Sequence, residues 1–189
     1  MNHDTADLER IKYERMWAEP DYRNHSPGKY WAEIFADIAD PKSGETLIDL
    51  GCGSGGATEG LTALGLDIAQ VDLADFRSDK TLPFREAPLW SNWSFPVRFA
   101  RADYGYCCDV MEHIPLEYTM LTLERIRGNC RRVFFSIAHL QDSCGGLIGE
   151  TLHLTVRPFE WWRDRLADIG EVLHGRDMQG ESLFYVRCS

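Results

Sequence analysis

No apolar run in this chain approaches the length that a membrane span requires. No signal peptide opens it: the first residues, MNHDTADLERIKYER, are polar and charged throughout. There is no internal repeat, low-complexity tract or linker. Basic residues are in deficit, with 20 Lys and Arg against 30 Asp and Glu, for a net charge of −10. Nucleic-acid binding over a broad surface normally needs a basic face, so it is not expected here, although a local basic groove remains open. The six cysteines form no Cys-x-x-Cys pair and no zinc-like spacing. They read as free thiols of a reducing compartment, which makes the expected location cytoplasmic. No metal site is expected. Cys107 and Cys108 fall in a predicted strand and face opposite sides, which disfavours a vicinal disulfide.

What is present is a globular composition, 44% hydrophobic over 189 residues. That length suits one domain with a substantial core. The single domain, 1–189, divides into an N-terminal helical cap (1–44), a core (45–137) and a C-terminal part (138–189). In the cap, Leu8, Ile11, Tyr13, Met16 and Trp17 loosely follow helical spacing over Thr5–Trp17. Ser26-Pro27 reads as N-cap and first residue of a second helix, carrying the stripe Trp31, Ile34, Phe35 and Ile38. Tyr13, Trp17, Tyr22, Tyr30 and Trp31 are read as core or staple residues, with a lid over a cofactor as the lesser alternative.

Strands are expected at Thr46–Leu50, Ile68–Leu73, Leu82–Glu86, Tyr104–Val110 and Arg132–Ile137. Helices are expected near Ala57–Leu64 and Leu116–Arg127, and after Pro158. A terminal hairpin, Glu171–His174 with Leu183–Arg187, completes seven strands. Strand–helix alternation followed by a hairpin predicts an α/β fold: a mostly parallel sheet with a C-terminal antiparallel hairpin and helices on both faces. Ligands bind such sheets beyond the carboxyl ends of the strands.

The stretch Thr46–Thr58, TLIDLGCGSGGAT, delivers a buried strand into a glycine-dense turn before a helix. That is a nucleotide-type binding corner. Gly51-Cys52-Gly53-Ser54-Gly55-Gly56 matches GxGxxG, a weak signal alone. Asp49 sharpens it, because an apolar residue would be the default inside that strand. Asp72 ends the next predicted strand, where a carboxylate can grip a ribose diol; a helix N-cap is the structural alternative.

LIDLGCGSG resembles the first motif of class I S-adenosylmethionine-dependent methyltransferases. Asp72 stands where their acidic ribose-binding residue stands, and CCDVMEHIP (Cys107–Pro115) resembles their segment after the fourth strand. The resemblance covers Thr46 to Ile137, and Gly149–Leu166 is similar to small methyltransferases associated with tailed phages. It implies a Rossmann-like sheet and S-adenosylmethionine as cofactor. Gly51, Cys52, Gly53 and Gly55 would pass beside the methionine moiety, with Asp49 facing its amino group. Asp72 would take both ribose hydroxyls. Leu73 would flank the adenine, and Leu89 and Trp90 would form its other wall. Asp109 and Val110 would line the cofactor near the methyl group.

The activity so implied is methyl transfer to O or N of a small-molecule or nucleotide-sized acceptor. A cofactor-binding protein without transfer, methylation of a modified base and a nicotinamide-dependent oxidoreductase are the alternatives. No DPPY- or NPPY-type segment follows the fourth strand and no Pro-Cys pair occurs, which fits neither amino-methylating DNA enzymes nor cytosine-C5 enzymes. His113 and Glu112 are the candidate catalytic pair, His113 as a base because its ordinary pKa lies near 6.5. Capping of the helix beyond Pro115 is an equal alternative for both. His139 and His153 are further candidates, and Leu140–Arg157 reads as a substrate lid. Nothing in the sequence sets an oligomeric state.

Overall fold

The computed structural model describes residues 3–23 and 26–189. Its centre is one seven-stranded sheet. In chain order the strands are β1 (Thr46–Leu50), β2 (Asp67–Asp72), β3 (Phe84–Glu86), β4 (Ala102–Cys108), β5 (Cys130–Ala138), β6 (Gly170–Met178) and β7 (Glu181–Cys188). Their spatial order is β3-β2-β1-β4-β5-β7-β6. β1 to β5 run parallel; β7 lies antiparallel between β5 and β6. The expected mostly parallel sheet with a terminal antiparallel hairpin is therefore present. Order reverses between β1 and β4, which fixes the crevice beyond their carboxyl ends as the binding edge.

Alternation along the strands feeds two cores. Leu47, Ile68, Tyr104, Tyr106, Phe134 and Tyr185 face helices α3 (Gly28–Ala39) and α4 (Thr58–Ala63). Ile48, Val71, Cys107, Val133, Phe135 and Val186 face α5 (Thr119–Asn129) and α6 (Phe159–Ala167). Helices cover both faces, as expected of parallel strands buried on two sides. Cys107 and Cys108 join opposite cores, and all six cysteines are free.

Between β3 and β4 the chain forms no α-helix, only a 3₁₀ turn at Val97–Phe99. The α5/α6 side is instead packed by Leu89, Trp90, Trp93, Phe95 and Phe99, all buried. Gly105 sits in β4 where a methyl group would lie 3.0 Å from both Cys130 Sγ and Leu50 Cδ1. Gly105→Ala is expected to overpack the sheet and cost about 1–3 kcal/mol, measurable by denaturant unfolding.

Several element limits differ from the sequence reading. α3 is formed from Gly28, and Pro27 just before it already adopts helical angles, as the first residue of a helix does. α5 runs through Gly128 to Asn129, since packing of Leu123 and Ile126 outweighs one glycine. The first helix, α1 (His3–Ala18), turns Leu8 and Ile11 outward, 66% and 46% exposed. A short helix, α2 (Pro20–Arg23), follows it. Among the described residues no helix is long and apolar enough to cross a membrane.

Candidate functional site

The turn after β1 is built by backbone that only glycine takes easily. Gly51 has φ 75° and Gly53 φ 52°. A methyl group on Gly51 would meet Val110 Cγ2 at 2.6 Å, and one on Gly53 would meet the Trp17 ring at 2.7 Å. The glycines therefore keep a narrow cleft open. Its lining includes Gly51, Asp72, Leu73, Leu89, Trp90, Asp109, Val110 and His113, brought from the ends of β1, β2, β3 and β4. Its cavity volume is about 110 Å³.

A second, adjoining recess holds Asp49, Cys52 and Gly53 together with Asp109 and Gly51. Asp49 is 4% exposed, and its Oδ2 has no hydrogen-bond partner among the described residues. Burial raises its pKa to about 7, the Asp72 charge adds to this, and the Gln70 amide opposes it. Asp72 is held differently. Oδ2 accepts from Gly53 N at 2.7 Å and Oδ1 from Leu73 N at 2.6 Å. Burial lifts its pKa to about 6 against those backbone donors. Each oxygen keeps a lone pair for a further donor. Asp72 is thus no helix N-cap; it ties the strand end to the glycine turn and faces the cleft. Gly55 is the one glycine of the set that lines neither space; its N–H closes the turn onto Cys52 O at 2.8 Å.

The segment after β4 bends sharply, with Asp109 at φ 58°. Asp109 and His113 face the cleft, but Glu112 does not. Glu112 is wholly buried, its Oε1 accepts from Ala138 N at 2.8 Å, and its backbone carbonyl accepts from Thr155 N at 2.8 Å. It joins the β4 and β5 ends to the following loop. Burial and then the nearby Asp109 charge push its pKa well above the usual carboxylate range. The His113 ring departs from the expected near-neutral base: burial pulls its pKa down to about 4, against the opposing Asp109 charge. Its Nδ1 lies 2.6 Å from the Tyr13 hydroxyl and 3.2 Å from Leu152 O.

His153 meets His113 edge-on, ring centroids 4.7 Å apart. His139 does not join them; it sits against Ser182 Oγ at 3.1 Å on the hairpin. The loop 140–157 is clamped rather than free. Asp142 accepts from Gly145 N, Leu152 N and His153 N, and Thr155 Oγ1 donates to Ile114 O at 2.6 Å.

Tyr13, Trp17 and Tyr22 line the cleft from α1 and α2 and also pack with Met16 and Leu152 in a small core of their own, as the core reading expects. Trp17 stacks on Phe76 at 5.6 Å. The spacing of α1 carried no signal for this, because two of its apolar residues point to solvent. Tyr30 is 69% exposed, and Trp31 packs at the edge of the α3 core.

No protein-family model and no curated protein matches the chain in sequence. Solved structures do match in shape. An N1-methyltransferase for 1,6-didemethyltoxoflavin from Burkholderia thailandensis aligns over 100% of this chain and 91% of its own, with TM-score 0.77 and 14% identity. The chain has the Rossmann-like methyltransferase fold. The N-methyltransferase NodS of Bradyrhizobium japonicum covers 95% of this chain and 98% of its own, with TM-score 0.68 and 12% identity. The magnesium protoporphyrin IX methyltransferase of Synechocystis covers 95% and 90%, with TM-score 0.64 and 15% identity. The first two were solved with S-adenosylhomocysteine and the third with S-adenosylmethionine. In this methyltransferase fold the glycine turn, Asp49 and Asp72 occupy the crevice at the reversal of strand order.

Proposed function

We propose that this protein is an S-adenosylmethionine-dependent methyltransferase acting on O or N of a small-molecule or nucleotide-sized acceptor. The observation that carries the reading is the buried Asp49 Oδ2, without a hydrogen-bond partner among the described residues, in the recess beside the glycine turn. A buried carboxylate oxygen without a donor is costly, and a ligand ammonium would satisfy it. Asp72 and the cradle kept open by Gly51 and Gly53 fit the ribose and the methionine chain of the same ligand. The S-adenosylhomocysteine and S-adenosylmethionine bound in structures of this fold support the choice of cofactor.

When bound, S-adenosylmethionine supplies an electrophilic sulfonium methyl group. The chain's own residues bind and orient. Asp49 accepts from the amino group, Gly51, Cys52 and Gly53 leave the methionine chain room, Gly55 closes the turn that holds them, and Asp72 accepts from both ribose hydroxyls. Leu73, Leu89 and Trp90 enclose the adenine. Val110 sets the wall nearest the methyl group. Tyr13, Trp17 and Tyr22 exclude water above it, which strengthens each polar contact inside. Asp109 and His113 are the groups that touch the acceptor. Glu112 acts through them, as a positioning residue behind the wall.

Calorimetric titration tests the reading: saturable binding of S-adenosylmethionine and S-adenosylhomocysteine is expected, and absence of both sinks it. In a thermal-shift comparison S-adenosylmethionine is expected to raise the midpoint and NAD to leave it unchanged, because only the preferred ligand draws the equilibrium toward the folded state.

A further inference from the structure

Four ionisable side chains meet where the cleft joins a third recess. Asp109, Glu112 and His113 come from the segment after β4, and His153 from the loop after β5. Each offers one ligand atom, and these atoms all lie within 4.8 Å of one another. Asp109, His113 and His153 also line the third recess, so the cluster is reachable.

The way each group is held matters more than its proximity. His153 Nδ1 lies 2.7 Å from Leu140 O, whereas His113 Nδ1 lies nearer the Tyr13 hydroxyl, at 2.6 Å, than Leu152 O, at 3.2 Å, so of the two rings His153 is the one held by a carbonyl alone. A ring that donates its Nδ1–H to a backbone carbonyl carries the lone pair on Nε2, and metal-ligating histidines are oriented in this way. Glu112 Oε1 is fixed by Ala138 N, whereas Oε2 is wholly buried and has no hydrogen-bond partner among the described residues. Asp109 lies beside the buried Glu112, carboxyl against carboxyl.

We propose that Asp109, Glu112, His113 and His153 form a binding site for one divalent transition-metal ion, where the sequence alone pointed to no metal. Two imidazoles with two carboxylates suit a first-row ion such as Mn²⁺, Co²⁺ or Zn²⁺; Mg²⁺ and Ca²⁺ favour oxygen ligands throughout. Bonds of about 2.0–2.2 Å put opposite ligands about 4.2 Å apart and neighbouring ones about 3.0–3.4 Å apart, so side chains separated by up to 4.8 Å close in on the ion when it binds. Four protein ligands leave one or two positions of a five- or six-coordinate ion for an outside oxygen. Asp109 and His113 face the cleft as well, so that oxygen belongs to the methyl acceptor. This last clause rests on the proposed methyltransferase function; the metal site itself does not.

The test is titration of chelator-treated protein with Co²⁺, without S-adenosylmethionine, read by visible absorption and calorimetry. One equivalent is expected to bind saturably. His153→Ala and Asp109→Asn are each expected to weaken binding at least about tenfold. Asn tolerates the left-handed backbone at position 109, and His153 lies half-buried in a loop, so both variants keep the core. His174→Ala, on β6, is expected to leave affinity unchanged. Absence of stoichiometric binding to the unaltered protein overturns the proposal, and so does equal affinity in the His153 and Asp109 variants. Because no cofactor is present, failure here leaves the methyltransferase reading standing, and failure of the cofactor titration leaves the metal site standing.

Discussion

Asp72→Ala is expected to weaken binding of S-adenosylmethionine by roughly 10²–10³-fold while the chain stays folded. The carboxylate faces the cleft with a free lone pair on each oxygen, its other acceptor positions being filled by Gly53 N and Leu73 N. Hydrogen bonds to a charged acceptor contribute about 1.5–3 kcal/mol each, and two ribose hydroxyls would make two. The same substitution frees the Gly53 N–H, which loosens the glycine turn and adds to the loss. Calorimetric titration measures the affinity, and circular dichroism checks the fold. Affinity within threefold of the unaltered protein would remove the ribose assignment. Asp72→Asn is expected to fall between, because one amide face still accepts.

Asp49→Asn is expected to separate stability from binding. The folded-state pKa of Asp49 is raised to about 7 from an ordinary value of 3.8, chiefly by burial. Between those values the folded chain holds a proton that the unfolded chain has lost. The linkage sign follows: this group makes stability fall as pH rises from about 4 to about 7, and leaves it flat above. The full shift corresponds to a few kcal/mol, part of which an asparagine loses again through its own unmet amide donor. A net gain of roughly 1–2 kcal/mol is therefore expected for the free variant at pH 8, which is about 2–8 °C in melting temperature. The gain is expected to vanish near pH 4.

Cofactor binding should move the other way. Removing one partner of a buried ion pair costs about 3–5 kcal/mol, so affinity for S-adenosylmethionine is expected to drop about 10²–10³-fold. In the unaltered protein affinity should fall as pH drops below about 7, as Asp49 takes up its proton; in Asp49→Asn that dependence should disappear. Thermal melts and titrations at pH 6 and pH 8 check both halves. A variant that is less stable at pH 8, or that binds as well as the original, contradicts the role given to Asp49.

β1, β2 and β4 were legible because each is a short, largely apolar run closed by a glycine or an acidic residue. TLIDL before Gly51 and the run ending at Asp72 appear at β1 and β2 with limits within one residue. β3 is shorter than expected and β4 starts and ends two residues earlier, because strand ends depend on partner length rather than on local pattern. The hairpin was underestimated for a similar reason. β6 alternates half-buried and exposed residues over its first six positions and then exposes Gly175, Arg176 and Asp177 in a row, and its pairing with β7 continues past the bulge between Val172 and His174.

The cofactor corner was legible from Asp49, the glycines and Asp72, residue types out of place in an ordinary strand and turn. The lid was not. Tyr13, Trp17 and Tyr22 look like any amphipathic helix residues until α1 is docked across the cleft. His113 read as a near-neutral base because sequence gives its ordinary pKa; burial, invisible in sequence, takes it to about 4.

The sequence by itself determined the sheet, the direction of its strands and the carboxylates at their ends, since those depend on local periodicity and on residues adjacent in the chain. Only the tertiary structure decided what lies above the cleft and what meets His113. His153 is 40 residues further along, and nothing local ties it to Asp109 or Glu112. Their meeting depends on Thr155 N bonding Glu112 O and on Asp142 folding the loop back, contacts that exist only once the two segments share one face of the sheet.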